Sequence, residues 1–220
     1  MDGISRIKEN GIVAIIRGQQ RENIVYILEA LLKGGIRTVE VTADTHRITF
    51  AIEEAVKEFG DEMYIGAGTV LDPETAKLVI NSGAKFVISP TTNIETIRLT
   101  KRYGVLSMPA AMTPTEILTA FEAGADVIKL FPARSLGASY IKDVRGPLPQ
   151  VPILPTGGIG LENMNEFFRA GAIGVGIGSS LVKGNMTATP EELMELTSRA
   201  KLYADKFVEL KQKGVVTSGV

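Results

Sequence analysis

The feature that most constrains the fold of this 220-residue chain is a regular alternation of short β-branched segments with longer amphipathic ones. The short segments have the length and composition of buried strands, whereas the longer ones repeat apolar residues at i, i+3 and i+4, as helices do. Eight strands are predicted, at Ile12–Arg17, Thr38–Thr42, Tyr64–Gly66, Phe86–Ser89, Val105–Met108, Val127–Leu130, Ile153–Thr156 and Val175–Gly178. Eight strands that alternate with helices predict a (β/α)8 barrel, the TIM-barrel fold.

The intervening segments support this architecture. Several predicted helices end at a glycine that leads into the next strand, namely at Gly34-Gly35, Gly83, Gly104, Gly124 and Gly171. A short N-terminal helix and a long C-terminal helix, from about Pro190 to Lys213, are expected to flank the barrel. No Ser- or Pro-rich linker divides the chain, so we expect one domain over residues 1–220, with a frayed tail at Thr217–Val220.

Composition argues against several classes of protein. The chain has no stretch of about 18 continuous apolar residues and no apolar signal-peptide core, so we expect a cytoplasmic protein without a membrane partner. It has no cysteine and a single histidine, His46, so neither disulfides nor a metal site is expected. A net charge of −1 without a basic run argues against nucleic acid as the main partner.

An open doubly wound sheet is the competing α/β architecture. Such a sheet usually carries a Gly-rich dinucleotide fingerprint after its first strand. Here the first predicted strand ends in Arg17-Gly18-Gln19-Gln20, which lacks the G-x-G-x-x-G spacing. The sequence therefore favours the barrel.

Polar and glycine-rich positions follow the predicted strands. In a barrel, catalytic residues lie at the C-terminal ends of the strands, so these positions should meet at one rim. They are Arg17, Glu40 with Asp44 beyond it, Thr69, Pro90, Lys129, Thr156 to Gly158, and Gly178 with Ser179.

Lys129 interrupts an otherwise apolar predicted strand that ends at Pro132. Burial disfavours the ammonium form, so a desolvated lysine can attack a ketone and form a Schiff base. The alternative is structural: a lysine near a strand end commonly buries its aliphatic chain and keeps its ammonium group in water. This segment alone leaves both interpretations open.

Glu40 lies within the predicted strand Thr38–Thr42. If its side chain faces the interior near Lys129, it could relay protons through water during cleavage of a carbon–carbon bond. If it faces elsewhere, it forms half of a structural ion pair.

Glycine-rich turns follow the last two predicted strands, at Gly157-Gly158 and Gly178-Ser179. Such turns let backbone amides approach an anion, and each is expected to precede a helix. Phosphate sites in (β/α)8 enzymes are frequently built from these two loops, which predicts phosphate binding. The alternative is that the glycines only close tight strand-to-helix turns.

Five motifs together resemble one family. They are Val39-Glu-Val-Thr42, Ile65-Gly-Ala-Gly-Thr-Val70, Ile88-Ser-Pro90, Lys129-Leu-Phe-Pro-Ala133 and Pro155-Thr-Gly-Gly-Ile159. The chain resembles the bacterial 2-keto-3-deoxy-6-phosphogluconate (KDPG) and 4-hydroxy-2-oxoglutarate (KHG) aldolases, class I aldolases that form a Schiff base with pyruvate. The resemblance extends from Ile12 to Lys183.

The resemblance implies a role for each matching residue. Lys129 would form the imine and Glu40 would act as the acid/base. The residues implied to contact substrate are Thr69 and Pro90 at the pyruvate end, and Gly157, Gly158 and Ser179 at the phosphate, with Thr156 and Gly178 beside them. The family needs no metal or other cofactor and usually forms a homotrimer.

By resemblance, the expected reaction is cleavage of KDPG to pyruvate and glyceraldehyde 3-phosphate, with cleavage of KHG to pyruvate and glyoxylate as a further activity. Three alternatives stay open. They are an aldolase of the galactonate series, a phosphosugar isomerase or epimerase, and a non-catalytic sugar-phosphate-binding barrel.

Two positions depart from the family pattern. Many members carry a basic residue at the position of Asp44, where it helps to hold the substrate carboxylate. Some members instead carry an arginine at the end of the first strand, so we expect Arg17 to bind this carboxylate while Asp44 points away or alters which aldehyde is accepted. Relatives also commonly carry glycine where this chain has Ala110.

Overall fold

The computed structural model describes residues 2–216, so the predicted tail at Thr217–Val220 lies outside the described residues. Within them the strands are β1 (Ile12–Ile16), β2 (Thr38–Thr42), β3 (Tyr64–Gly68), β4 (Phe86–Ile88), β5 (Leu106–Met108), β6 (Ala110–Ala111), β7 (Ile128–Leu130), β8 (Ile153–Pro155) and β9 (Val175–Ile177). The helices are α1 (Gly3–Asn10), α2 (Arg21–Lys33), α3 (Ile48–Phe59), α4 (Pro73–Asn81), α5 (Ile94–Arg102), α6 (Pro114–Glu122), α7 (Ala133–Arg145), α8 (Met164–Arg169) and α9 (Pro190–Gln212).

The strands form two sheets in which every pair is parallel. The first has the order β5-β4-β3-β2-β1-β9 and the second has the order β6-β7-β8. The predicted α/β architecture with parallel strands is confirmed, but the eight strands do not form one continuous hydrogen-bonded sheet. Pro109 separates β5 from β6, and β8 contacts β9 through a single bridge between Thr156 and Gly176. Pro109 and Pro155 lie at these two junctions, and proline has no N–H to donate to a ladder.

Successive side chains of each strand point to opposite faces of the sheet, which divides the core into two layers. Side chains on one face of the sheets, such as Ile12 and Val39, pack against the surrounding helices. Those on the other face form a separate cluster in which Phe86 from the first sheet meets Leu154 from the second. The two sheets therefore enclose a common interior.

The first helix closes one end of this interior. Ile7 of α1 is fully buried in the same cluster as Val13 and Phe86. Ile7 packs beside Val13 near the start of β1, so α1 covers the N-terminal ends of the strands, whereas polar residues follow their C-terminal ends.

The predicted flanking helices are confirmed. The long α9 buries Leu196, Ala200 and Tyr203, and it approaches the end of α2 closely, since a Cβ at Gly34 would lie 2.4 Å from the Cβ of Ala200. None of the helices in residues 2–216 is long and apolar enough to cross a membrane.

The glycines predicted to end helices adopt the left-handed backbone conformation that this role requires. They are Gly35, Gly83, Gly104, Gly124 and Gly171, each with a positive φ. Gly34, which was predicted together with Gly35, is the exception, with a right-handed φ of −80°. The chain therefore enters β2, β4, β5, β7 and β9 through glycine turns that the sequence predicts.

Candidate active site

A cavity of about 1000 Å³ lies at the C-terminal ends of the strands. All the predicted site residues except Glu40 line it, namely Arg17, Thr69, Pro90, Lys129, Thr156, Gly157, Gly158, Gly178 and Ser179. The fold thus brings together Lys129 of strand β7 and residues from five of the loops that follow the strands.

Lys129 occupies the middle of β7, where its neighbours Ile128 and Leu130 face the helices. Its side chain is buried, with only 3% of the residue exposed, so the ammonium does not extend to bulk water. Nζ lies 5.2 Å from the centre of the Phe131 ring. No carboxylate in residues 2–216 lies within 4.0 Å of Nζ, so Lys129 is not neutralised by a direct ion pair.

Glu40 lies beneath the cavity on β2 and is 1% exposed. Its Oε1 has no hydrogen-bond partner in the described part of the chain. Burial raises the pKa of the Glu40 carboxyl above its ordinary value of 4.5, and the charges of Lys129 and then Arg17 lower it only in part. Glu40 is therefore an interior carboxyl near Lys129 and not half of an ion pair, which is the arrangement that proton relay requires.

Gly68, the last residue of β3, makes room for this carboxyl. A Cβ at position 68 would lie 2.6 Å from Cδ and 2.7 Å from Oε1 of Glu40. Such contacts are too short to exist, so a side chain here must displace the carboxyl.

Gly68→Ala is accordingly expected to lower kcat by about 100-fold, the effect of displacing a reactive group by about 1 Å. The Lys129 amine should keep its reactivity, so the variant should still form a borohydride-trapped adduct with pyruvate. Steady-state kinetics and intact-mass analysis on one preparation would check both parts. A folded variant with unchanged kcat would show that the Glu40 position is not critical.

Arg17, Thr69 and Asp44 form a polar cluster in the lining of the cavity. Nη2 of Arg17 donates a hydrogen bond of 2.7 Å to Oγ1 of Thr69, and Nη1 lies 3.7 Å from Oδ2 of Asp44. Asp44 lines the cavity, so the expectation that it points away is wrong, and the alternative that it affects substrate choice is the one to test. Thr69 has a φ of 57°, which is rare for a β-branched residue and common at functional sites.

The two glycine turns follow neighbouring segments, since Thr156 and Gly176 form a bridge. Gly157 and Gly158 have φ values of 98° and 73°, and no acceptor in residues 2–216 receives the backbone N–H of Gly158 or Ser179. Oγ1 of Thr156 is likewise buried without a partner. Three polar groups of residues that line the cavity thus have unused hydrogen-bonding capacity, which suits an anionic ligand.

One expectation about these turns is wrong. Neither leads directly into a helix: α8 begins at Met164, and no helix occurs between Gly178 and the start of α9 at Pro190. Support for anion binding therefore comes from the free amides themselves and not from a helix dipole at these turns.

The sequence interpretation missed several residues of the site. Phe131, Arg134 and Glu162 also line the cavity. Buried Gln19 holds two of the loops together, because its Nε2 donates to the Lys183 carbonyl at 2.7 Å and its Oε1 accepts from the Met186 N–H at 3.0 Å. Arg134 follows the Lys129-to-Ala133 motif directly, so its rim position was a usable signal, whereas nothing local in the sequence marks Gln19.

A family model described as KDPG and KHG aldolase matches residues 4–196, most of the chain. The chain belongs to the KDPG and KHG aldolase family. It is therefore a lyase of the aldolase type, and the resemblance carried by the five motifs is confirmed.

Curated relatives in this family carry two different names. The chain is 33% identical over 177 residues to 2-dehydro-3-deoxy-6-phosphogalactonate aldolase of Escherichia coli (strain K12), which is 80% of this chain and 86% of that protein. It is also 33% identical over 165 residues to 2-dehydro-3-deoxy-phosphogluconate aldolase of Haemophilus influenzae, which is 74% of this chain and 77% of that protein.

Solved structures of the family share the fold. A structure described as native KDPGal matches with a TM-score of 0.85 and 31% identity, over 91% of this chain and 96% of that one. The KDPG aldolase of Legionella pneumophila, solved with pyruvate captured as a covalent carbinolamine intermediate, matches with a TM-score of 0.78 and 29% identity, over 93% and 96% of the two chains.

Proposed function

We propose that this family member is a class I aldolase that cleaves a 2-keto-3-deoxy-6-phospho sugar acid to pyruvate and glyceraldehyde 3-phosphate. The observation that carries the proposal is the burial of Lys129 and Glu40 together at a cavity that is also lined by Gly158 and Ser179, whose backbone amides are unpaired in residues 2–216. The covalent pyruvate adduct of the Legionella pneumophila relative supports an imine mechanism.

The proposed reaction begins with attack of the Lys129 amine on the C2 ketone of the substrate. The carbinolamine loses water to give a cationic imine, which withdraws electrons from the C3–C4 bond. Glu40, through a water molecule, takes the proton of the C4 hydroxyl as this bond breaks to an aldehyde and an enamine. Protonation of the enamine at C3 and hydrolysis of the imine then release pyruvate and restore the free amine.

Each end of the substrate has a proposed partner. Arg17 and Thr69 hold the carboxylate next to the ketone, with Pro90 beside them. Gly157, Gly158 and Ser179 bind the phosphate, with Thr156 and Gly178 nearby. The same catalytic pair is proposed to cleave KHG to pyruvate and glyoxylate, a reaction in which no phosphate occupies the glycine turns.

Two substrates that differ in configuration at C4 fit this proposal. The gluconate epimer, KDPG, is the one favoured by the sequence interpretation. The galactonate epimer has comparable support, because the Escherichia coli relative carries that name at the same identity over a longer alignment.

Initial rates with the two synthetic epimers, with pyruvate detected by lactate dehydrogenase, would test the proposal. A kcat/KM at least ten times higher for one epimer would identify the substrate. Turnover of neither epimer, in a protein that still forms a trapped adduct with pyruvate, would direct the search to a different aldehyde. No adduct and no turnover would contradict the aldolase proposal itself.

Arg17→Ala is expected to weaken pyruvate binding by roughly 10-fold, the lower part of the range for a charged hydrogen bond, because the side chain is half-exposed. Asp44→Asn should have the opposite effect, since the Asp44 carboxylate competes with the substrate carboxylate for the same guanidinium. The dependence of adduct formation on pyruvate concentration measures both affinities. Unchanged affinity in Arg17→Ala would exclude its assignment to the carboxylate.

The proposed assembly is the homotrimer that the family resemblance implies. Sedimentation equilibrium of the purified protein would measure the number of subunits directly.

A further inference from the structure

Three cationic side chains line the cavity, and the reaction proposed above uses only two of them. Lys129 is the proposed nucleophile, and Arg17 contacts Asp44 and Thr69. The third, Arg134, is exposed, and within the described part of the chain no carboxylate lies within 4.0 Å of it. Its positive charge is therefore available to a ligand.

The position of Arg134 is fixed by the first glycine turn. Its backbone N–H, in the first turn of α7, donates to the Gly157 carbonyl at 3.0 Å. Its side chain then lies across Gly158: a Cβ at position 158 would be 2.5 Å from the Arg134 Cβ and 3.0 Å from its Nε. Gly158 thus leaves the space in which the side chain of Arg134 lies.

The side chain of Arg134 and the Lys129 amine lie at opposite ends of the Gly157-Gly158 turn. The Phe131 ring lies 5.2 Å from Nζ of Lys129 and 3.4 Å from the position of a Cβ at Gly157. Along the cavity wall the order is therefore Lys129, Phe131, Gly157, Gly158 and Arg134. A substrate joined to Lys129 through C2 would place the far end of its aldehyde portion beside Arg134.

We propose that Arg134 binds the phosphate monoester of the aldehyde portion and sets the preference of the enzyme for phosphorylated over neutral aldehydes. This inference rests on the proposed aldolase function. Guanidinium forms paired hydrogen bonds with phosphate oxygens, and a phosphate monoester carries a charge of about −1.5 to −2 at pH 7. Backbone N–H groups alone donate hydrogen bonds to anions and to neutral hydroxyl groups with less discrimination.

The negative charge of Glu162 gives such a cation a further role in the cavity. Glu162 lines the same region, its Oε2 lies 2.6 Å from the position of a Cβ at Gly160, and in residues 2–216 no cation lies within 4.0 Å of it. A carboxylate here repels a phosphate dianion. Arg134 offsets this repulsion, and a neutral aldehyde needs no such compensation.

The test compares kcat/KM for addition of pyruvate to glyceraldehyde 3-phosphate and to glyceraldehyde. Arg134→Ala is expected to lower the value for the phosphorylated aldehyde by roughly 10- to 100-fold, the effect of losing charged hydrogen bonds, and to leave the value for glyceraldehyde within about 2-fold. Arg134→Lys should give an intermediate ratio, because it keeps the charge but loses the paired geometry. Equal ratios in Arg134→Ala and wild type would overturn the inference.

Arg102→Ala is a matched control, since Arg102 is an exposed arginine on α5 outside the cavity. It changes the net charge equally, so an equal loss in this variant would show long-range attraction and overturn direct binding. Calorimetric binding of glycerol 3-phosphate separates this inference from the proposed function. Weaker binding in Arg134→Ala supports the phosphate contact even in a protein that forms no adduct with pyruvate, whereas unchanged binding contradicts it whether or not the protein is an aldolase.

Discussion

Lys129→Ala is expected to abolish aldol cleavage, with a loss in kcat on the order of 10⁴- to 10⁶-fold, as found when an enzyme loses its nucleophile. The proposed reaction uses the lysine nitrogen as the electron sink, and alanine cannot form an imine. The fold should tolerate the change, because it removes a buried amine that makes no ion pair in residues 2–216.

Intact-mass analysis after treatment with pyruvate and sodium borohydride is the direct measurement. Wild type should gain one reduced adduct and Lys129→Ala should gain none. Lys183→Ala is a suitable control, because Lys183 is an exposed lysine that pairs with Glu195 at 3.0 Å and its loss should leave the adduct intact. An adduct that persists in folded Lys129→Ala would place the imine on another lysine and overturn the mechanism.

The parts of the structure that the sequence predicted depend on local patterns. Strand β2 begins and ends as predicted, because its β-branched residues and the turns around it are adjacent in the chain. Lys129 and Gly158 were predicted to lie at one rim because parallel strands in a barrel bring their C-terminal ends together. This prediction needs no knowledge of the contacts between the two residues. The alternation of strands with helices was therefore enough to predict that most of the site residues lie together.

The missed features depend on pairs of residues that are distant in sequence. Gln19 contacts Lys183 across 164 positions, and no local pattern marks either residue for this role. The need for glycine at position 68 follows from the Glu40 carboxyl, which belongs to a different strand. The division of the sheet at Pro109 had a local signal, since proline cannot donate to a ladder, but strand periodicity alone does not reveal it.

Glu40→Gln is expected to lower kcat by about 10²- to 10⁴-fold, the usual contribution of a positioned acid/base. Glutamine has nearly the same shape but cannot accept the C4 hydroxyl proton. Pyruvate should still form a trapped adduct with Lys129, so the variant separates bond cleavage from imine formation. Loss of the adduct and of cleavage together would instead mean that Glu40 acts mainly on the formation of the imine.

The same substitution is expected to stabilise the fold, and the gain should depend on pH. Burial raises the Glu40 pKa in the folded protein above its ordinary value of 4.5. Below about 4.5 the carboxyl is protonated in both the folded and the unfolded chain, so wild type bears no ionisation cost. As the pH rises toward the raised pKa, the unfolded chain ionises first, and the free energy of unfolding of wild type falls. Glutamine does not titrate, so the variant lacks this loss.

Urea unfolding of wild type and Glu40→Gln at a series of pH values measures the effect. The stability difference in favour of the variant should grow from about pH 4.5 to the raised pKa and then level off. Glu122→Gln changes one exposed carboxyl on α6 and controls for the change in net charge. A difference that does not vary with pH would show that the Glu40 carboxyl is not desolvated in solution. A variant that loses activity while gaining stability would show that burial of this acid is retained for catalysis, at a cost to the fold.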